Sequence, residues 1–161
     1  MKAQLFVVVV VGAGLVSGCE LAQPFEGPGF VLGEGLTTDA PGPFMASSTV
    51  LVVDDGEGDQ AAFDGHMAKI TEALKTQEGL VGKSLAIGSS GYRTLSVWES
   101  EEAMFGWVTA EVHIDAMVDM ADKTKGGQVV AWPMDRAELE AGPPSWDDAK
   151  ARLDDDGRSA Y

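Results

Sequence analysis

The side chain best suited to acid–base chemistry in this sequence is His113, which lies within the stretch YRTLSVWESEEAMFGWVTAEVHIDAM at residues 92–117. Histidine titrates near physiological pH, so its imidazole can donate or accept a proton. Helical spacing puts His113 on one stripe with Ala116, Met117 and Met120, and this predicts that it faces inward. Three interpretations stay open: a core histidine bonded to a backbone carbonyl or a carboxylate, an acid–base group lining a pocket, or a haem ligand.

A second side chain of interest, Trp98, ends the strand-like part of the same stretch. Alternation along a strand puts Trp98 on the same face as Thr94 and Ser96, away from the apolar residues between them. The predicted site has His113 and Trp98 as catalytic residues and, as ligand-binding residues, Met117, Met120, Thr94 and Ser96. Packing at the sheet edge or inside a dimer is the alternative role for Trp98, and core packing is the alternative for the methionines.

The sequence lacks the motifs of several other kinds of catalytic and binding site. The sequence has no HExxH and no cluster of cysteine and histidine, so no metal site is predicted. It has neither a G-x-S-x-G motif nor a phosphate-binding loop. The other histidine, His66, lies beside an apolar helical stripe, and we expect it at the surface or at the rim of a pocket.

The sole cysteine, Cys19, follows a hydrophobic N-terminal segment and cannot form an internal disulfide. Lys2 supplies a positive charge, and residues 5–16 form an apolar core of the length that is typical of a signal peptide. The run Val16-Ser17-Gly18-Cys19 resembles the lipobox of bacterial lipoprotein signal peptides, in which the cysteine is lipidated and becomes the mature N-terminus. An ordinary secretory signal with a chance cysteine is the alternative.

The lipobox resemblance implies a signal peptide at residues 1–18 and acyl chains such as palmitate on Cys19. Acyl chains bind membranes through their buried CH₂ groups, so a chain with several of them is held firmly. We therefore expect a location in the cell envelope, anchored by lipid to the outer membrane and facing the periplasm if the cell has two membranes.

The composition is strongly acidic, with a net charge of −15 and only 11 Lys and Arg residues. Nucleic-acid binding needs clustered basic residues to neutralise phosphates, so a nucleic-acid partner is not expected. Hydrophobic residues make up 45% of the 161 residues, enough for a buried core in one domain.

The chain divides into segments of different character. Residues 19–47 are rich in proline and glycine without periodicity, which predicts a lipidated and poorly ordered tether. Residues 48–154 alternate strand and helix patterns and are expected to form the folded domain. Residues 155–161 form an acidic tail that is expected to fray.

Within the domain the pattern reads β-α-β-β-α-β. This order predicts an α+β, ferredoxin-like fold, a four-stranded antiparallel sheet with two helices on one face. The second helix carries two apolar stripes about half a turn apart, one with Met104 and Trp107 and one with His113. A straight helix cannot bury both against one sheet, so a break is predicted between segments 101–108 and 112–124.

The residues LSVWESEEAMFGWV resemble the antibiotic-biosynthesis-monooxygenase-like group of dimeric α/β-barrel proteins. The sequences HIDAM, EGLVG and PPSWDDAKARL look like those of a poorly characterised subgroup, and the resemblance covers about residues 48–154. It implies a homodimer formed by sheet-to-sheet pairing, with a small pocket between sheet and helices in each subunit. Members include cofactor-free oxygenases of polycyclic phenols, haem-degrading enzymes and many proteins with no known activity.

Two functions follow as expectations. The first is an envelope lipoprotein whose domain binds a small apolar or aromatic ligand, or has no catalytic role, and which needs no cofactor. The second is a cofactor-free monooxygenase or a haem-handling enzyme that uses a pocket with His113 and Trp98. Exposure outside the cytoplasm favours the first.

Overall fold

The computed structural model describes residues 21–54, 56–88 and 91–160. No helix in these ranges is both long and apolar enough to cross a membrane. The elements in chain order are β1 (Leu21–Ala22), β2 (Phe30–Val31), β3 (Gly35–Leu36), β4 (Phe44–Val53), α1 (Glu57–Leu74), β5 (Leu80–Gly88), β6 (Gly91–Trp98), α2 (Glu101–Val108), α3 (Glu111–Met120), β7 (Thr124–Met134), α4 (Arg136–Ala141), α5 (Trp146–Asp156) and β8 (Arg158–Ser159).

The main sheet is antiparallel and has the strand order β1-β5-β6-β4-β7-β8. Its four central strands, with α1 and the α2–α3 pair as crossovers, form the β-α-β-β-α-β arrangement, so the predicted ferredoxin-like fold is confirmed. Strand β4 lies in the middle, paired with β6 on one side and β7 on the other. The short strands β1 and β8, which were not predicted, extend the sheet at its two edges.

The break in the second helix is also confirmed, although α3 ends at Met120 and not at residue 124, where β7 begins. Helix α2 begins at Ser100, whose side chain accepts a hydrogen bond from the Ala103 amide. It ends at Thr109, and α3 starts after Ala110, whose backbone is extended. The break lets Trp107 and Met120 both be buried, although they lie on different stripes.

Helices α1, α2 and α3 cover one face of the sheet. Apolar side chains of β4 on this face are Met45, Leu51 and Val53. Met45 belongs to a cluster around Trp98, Trp107 and Leu74, and Leu51 and Val53 belong to a cluster around Phe63 and Met120.

The two crossover helices thus lie on one face, as predicted, and the opposite face is covered by two further helices. Helix α5 packs on β4 and β7, and α4 precedes it. Both helices begin with a capping box, Asp135 with Glu138 and Ser145 with Asp148. The buried residues of this cluster are Phe25, Phe30, Phe44, Ala46, Val81, Leu95, Val97, Val130, Trp132, Met134, Leu139, Ala149 and Leu153.

Two predicted boundaries differ from the structure. Residues 21–47, expected to be a poorly ordered tether, contribute strands and buried aromatic rings to the domain. The predicted frayed tail at 155–161 instead includes the end of α5 and strand β8, which pairs with Gln128 and Val129 of β7. The ordered unit therefore starts at least as early as Leu21 and continues to residue 160.

The N-terminal segment is held to β5 by both backbone and side-chain contacts. The amides of Gln23, Glu26 and Gly29 donate to carbonyls of β5 at 2.8, 3.1 and 2.9 Å. The Phe25 ring lies over Gly82, where an added Cβ would be 2.5 Å from the ring. Composition did not predict this packing, because a glycine such as Gly27 here permits close approach of two backbones instead of producing disorder.

We expect Phe25→Ala to destabilise the protein by about 3–5 kcal/mol, because the ring is 8% exposed and its loss leaves a void beside Gly82. Urea unfolding of the purified protein measures the change. The matched control is Val31→Ala, since Val31 is 40% exposed and its truncation should cost at most about 0.5 kcal/mol. Equal effects of the two substitutions would contradict the packing described here.

Candidate functional site

Trp98 is buried on the face of the sheet that α1, α2 and α3 cover, with 1% of its surface exposed. Its indole Nε1 donates to Ser96 Oγ at 3.0 Å. Ser96 Oγ in turn lies 2.9 Å from Ser47 Oγ, because Ser47 and Ser96 are directly paired on β4 and β6. The polar atom of this tryptophan is thus satisfied inside the protein, as is usual for a buried indole.

Trp107 connects Trp98 to His113. The Trp98 and Trp107 rings are stacked, with centroids 6.2 Å apart and planes at 21°. The His113 ring lies 5.3 Å from Trp107 at 54°. The break between α2 and α3 makes this contact, because it turns the start of α3 back towards the last turn of α2.

His113 is half-buried and bonds to the main chain. Its Nδ1 lies 3.1 Å from the carbonyl oxygen of Val108. A carbonyl can only accept, so Nδ1 carries the proton, and Nε2 is the acceptor nitrogen when the ring is neutral. Burial lowers the pKa of His113, opposed in part by the hydrogen bond to Val108, which favours the charged form.

The structure brings together some of the predicted site residues and separates others. His113 and Trp98 belong to one column of rings, and Ser96 bonds to that column directly. Thr94 lies one pair further along β6, opposite Thr49. The methionines are elsewhere: Met120 packs with Val53 and Phe63, and Met117 is half-buried on α3.

Sequence reasoning did not assign Trp107 and Ser47 to this region. Trp107 was placed on a different helical stripe from His113, and only the turn between α2 and α3 brings the two rings into contact. Ser47 lies in a segment that was taken for a tether. No pattern within the sequence marks either contact, since both depend on tertiary pairing.

His66 and Asp119 connect α1 and α3. His66 Nε2 lies 3.2 Å from Asp119 Oδ2, with 12% of the histidine side chain exposed and 64% of the aspartate. His66, expected at the surface or at a pocket rim, is therefore largely covered. Within residues 21–54, 56–88 and 91–160 no three or more His, Cys, Asp or Glu side chains are grouped so that they could hold a metal ion.

A groove of about 540 Å³ lies at the β5 edge of the sheet, between the N-terminal segment and the end of α1. We call it the edge groove. Its apolar wall includes Leu74 and Leu80, and exposed apolar side chains at its rim are Val31 and Leu32. The remaining lining residues are Gln23, Glu26, Gly27, Pro28, Phe30, Thr71, Lys75 and Lys83. Neither His113 nor Trp98 lines it.

The fold resembles solved structures of proteins from several bacteria. A "putative monooxygenase" from Fusobacterium nucleatum matches with a TM-score of 0.54 and 13% identity, over 78% of this chain and 54% of that one. The chain thus spans about half of that protein's length. A "putative antibiotic biosynthesis monooxygenase" from Nitrosomonas europaea matches with a TM-score of 0.51 and 9% identity, over 58% of this chain and 91% of the other.

A third structure, a dimeric protein of unknown function with a ferredoxin-like fold from Bacteroides fragilis, matches with a TM-score of 0.50 and 9% identity. The match covers 58% of this chain and 98% of that one. No protein-family model and no curated protein matches the sequence. At these identities the likeness establishes a shared ferredoxin-like fold and not a shared activity.

The lowered pKa of His113 predicts a loss of stability on mild acidification. The unfolded chain has the ordinary histidine pKa of about 6.5, so just below that pH it binds more protons than the folded protein does. The free energy of unfolding should therefore fall as the pH falls through this value, whereas at higher pH the ring is neutral in both states and contributes no pH dependence.

Urea midpoints on either side of the ordinary histidine pKa, above the range where carboxylates titrate, measure this effect. The control is His113→Asn, whose amide can keep the bond to Val108 but does not titrate. We expect the urea midpoint to drop less on acidification in the variant than in the wild type. Both proteins contain His66, so any contribution from that residue is the same in each. An identical drop would show that His113 does not contribute.

Proposed function

We propose that this protein is a lipid-anchored envelope protein whose domain binds a small, mainly apolar or aromatic ligand in the edge groove, without catalysis. The observation that carries the proposal is the groove itself. Its volume of about 540 Å³ falls within the range of small-molecule sites, and it combines an apolar wall with a few polar groups. Its two lysines, Lys75 and Lys83, outnumber its one carboxylate, Glu26, and this excess of positive charge favours a ligand with an anionic end.

The burial and hydrogen bonds of the ring column formed by Trp98, Trp107 and His113 favour a role in packing over a role in catalysis. Trp98 is fully buried, and the hydrogen bond to Val108 occupies His113 Nδ1. General acid–base catalysis needs a group within hydrogen-bond reach of the substrate. The alternative, a cofactor-free monooxygenase or a haem-handling enzyme, rests on the names of the similar structures and would have to use Nε2 of His113.

The anchor is proposed from the lipobox-like run that ends at Cys19. Strand β1 begins at Leu21, two residues after that cysteine, and is already paired with Ile87 of β5. A lipid on Cys19 would therefore hold the domain close to the membrane rather than on the predicted tether of residues 19–47. Two residues can span at most about 7 Å.

A homodimer is proposed on the precedent of the dimeric Bacteroides fragilis protein. Sheet-to-sheet pairing of two subunits is blocked, because α4, α5 and the N-terminal segment already cover the second face of the sheet. A second copy would have to contact another surface. Exposed apolar residues on α2 and α3 include Phe105, Ile114 and Val118.

Replacing Cys19 tests the anchor. We expect Cys19→Ser to move the protein from the membrane fraction to the soluble fraction, since a serine cannot carry the thioether-linked lipid. Cell fractionation followed by immunoblotting measures the distribution, and mass spectrometry of the membrane-bound wild type should show acylation of Cys19. A variant that stays in the membrane fraction would contradict the lipid anchor.

Binding of an apolar dye tests the edge groove. We expect 1-anilinonaphthalene-8-sulfonate to bind with an increase in fluorescence, and Leu32→Asp to weaken binding by about tenfold or more, equivalent to about 1.4 kcal/mol. Val118→Asp is the matched control, because Leu32 and Val118 are 64% and 68% exposed but only Leu32 lines the groove. Equal weakening by both substitutions would contradict a ligand site in the groove.

A further inference from the structure

A row of side chains crosses the second face of the sheet beneath α5. Val50 of β4 is directly opposite Arg93 of β6 and Gln128 of β7, so these three side chains lie on the same face. Ser48 lies two residues before Val50 and shares that face. With residues of α5 they line a cavity of about 120 Å³, which we call the α5 cavity.

The Ser48 hydroxyl is the unusual group in this cavity. Ser48 is 1% exposed, and its Oγ has no hydrogen-bond partner among the described residues. Buried polar atoms in folded proteins are nearly always hydrogen-bonded, because an unpaired hydroxyl in an apolar environment is costly. A hydroxyl that lines a cavity without a protein partner therefore points to a polar occupant of that cavity.

The other lining groups define what kind of occupant fits. Arg93 and Lys150 are cationic, and Asp154 is the anionic group; Lys150 Nζ bonds to Asp154 Oδ2 at 2.5 Å. The lining thus has an excess of one positive charge in a chain whose net charge is −15. Guanidinium, ammonium, amide and hydroxyl groups can all donate hydrogen bonds, and together they suit an oxyanion.

The apolar part of the lining limits the size and shape of the occupant. Val50, Ala149 and Leu153 are aliphatic, and Trp146 adds an aromatic ring. A volume of about 120 Å³ has room for several water molecules, and hence for a small organic ion. An oxyanion with a short hydrocarbon part matches both the donors and these walls.

We propose that the α5 cavity is a binding site for a small carboxylate with a short apolar body, with Ser48, Arg93 and Gln128 as its hydrogen-bond donors. This site is separate from the proposed ligand site in the edge groove, because the two share no lining residue. It also lies on the face of the sheet opposite Trp98, since Ser48 and Val50 point away from Ser47, which contacts the Trp98 hydrogen-bond network. Its test is therefore independent of the groove.

Propionate is the probe, and n-propylammonium is a cationic control with a body of similar length. In two-dimensional ¹H–¹⁵N NMR spectra of the purified protein, we expect propionate to shift the amide signals of the strands and helix that line the α5 cavity. The cationic control should not shift them. Inorganic phosphate, which lacks an apolar body, should bind more weakly than propionate.

Comparing Ser48→Ala with Ser47→Ala distinguishes an effect on propionate binding from an effect on folding. The two serines are adjacent on β4, but Ser48 lines the α5 cavity whereas Ser47 bonds to Ser96 on the other face. We expect Ser48→Ala to weaken propionate binding by about tenfold without lowering the melting temperature, because it removes a donor that has no partner in the part of the chain that the structure describes. Ser47→Ala should leave the affinity unchanged.

Any of five results would overturn the proposal. The first four are the absence of propionate shifts in the wild type, shifts confined to another region, equal shifts with n-propylammonium, and unchanged affinity in Ser48→Ala. Phosphate binding as tight as propionate binding would also overturn it, because the apolar walls would then play no part. If Ser48→Ala fails to fold, Arg93→Gln provides the second variant and is expected to weaken binding in the same way.

Discussion

Strand β4 lies between β6 and β7 and is covered on both faces, so its buried side chains alternate between the cluster beneath the C-terminal helices and the two clusters beneath α1, α2 and α3. Phe44 and Ala46 pack beneath the C-terminal helices, whereas Met45 and Val53 pack beneath α1, α2 and α3. A shift of this strand by one residue would exchange the two sets of side chains. Its register therefore determines the positions of the Ser47–Ser96 pair on one face and of Ser48 on the other.

The central fold could be predicted because its signals are local. The apolar run in β4, the helical stripe of α1 and the hairpin of β5 and β6 each show their own period along the chain. The break between α2 and α3 followed from two stripes that one straight helix could not bury. Helix α5 also has a local start signal, the Ser145 cap, but no local pattern shows which face of the sheet it covers.

The N-terminal segment and the surroundings of His113 could not be predicted, because both depend on contacts between distant parts of the chain. The burial of Phe25 requires Gly82, which is far away in sequence and offers a flat surface only once β5 has formed. Similarly, the ring contact of His113 requires Trp107, and its hydrogen bond requires the free carbonyl at the end of α2. The inward orientation of His113 could be predicted from helical periodicity, but its contacts with Trp107 and Val108 could not.

The two-residue strands at both edges of the sheet limit its association with strands of other molecules. An exposed edge of long, regular strands can template the addition of a strand from another molecule. Here β1 and β8 offer few backbone groups, and Pro133 of β7 has no N–H to donate. The sheet is thus protected against growth by edge-to-edge association with other molecules.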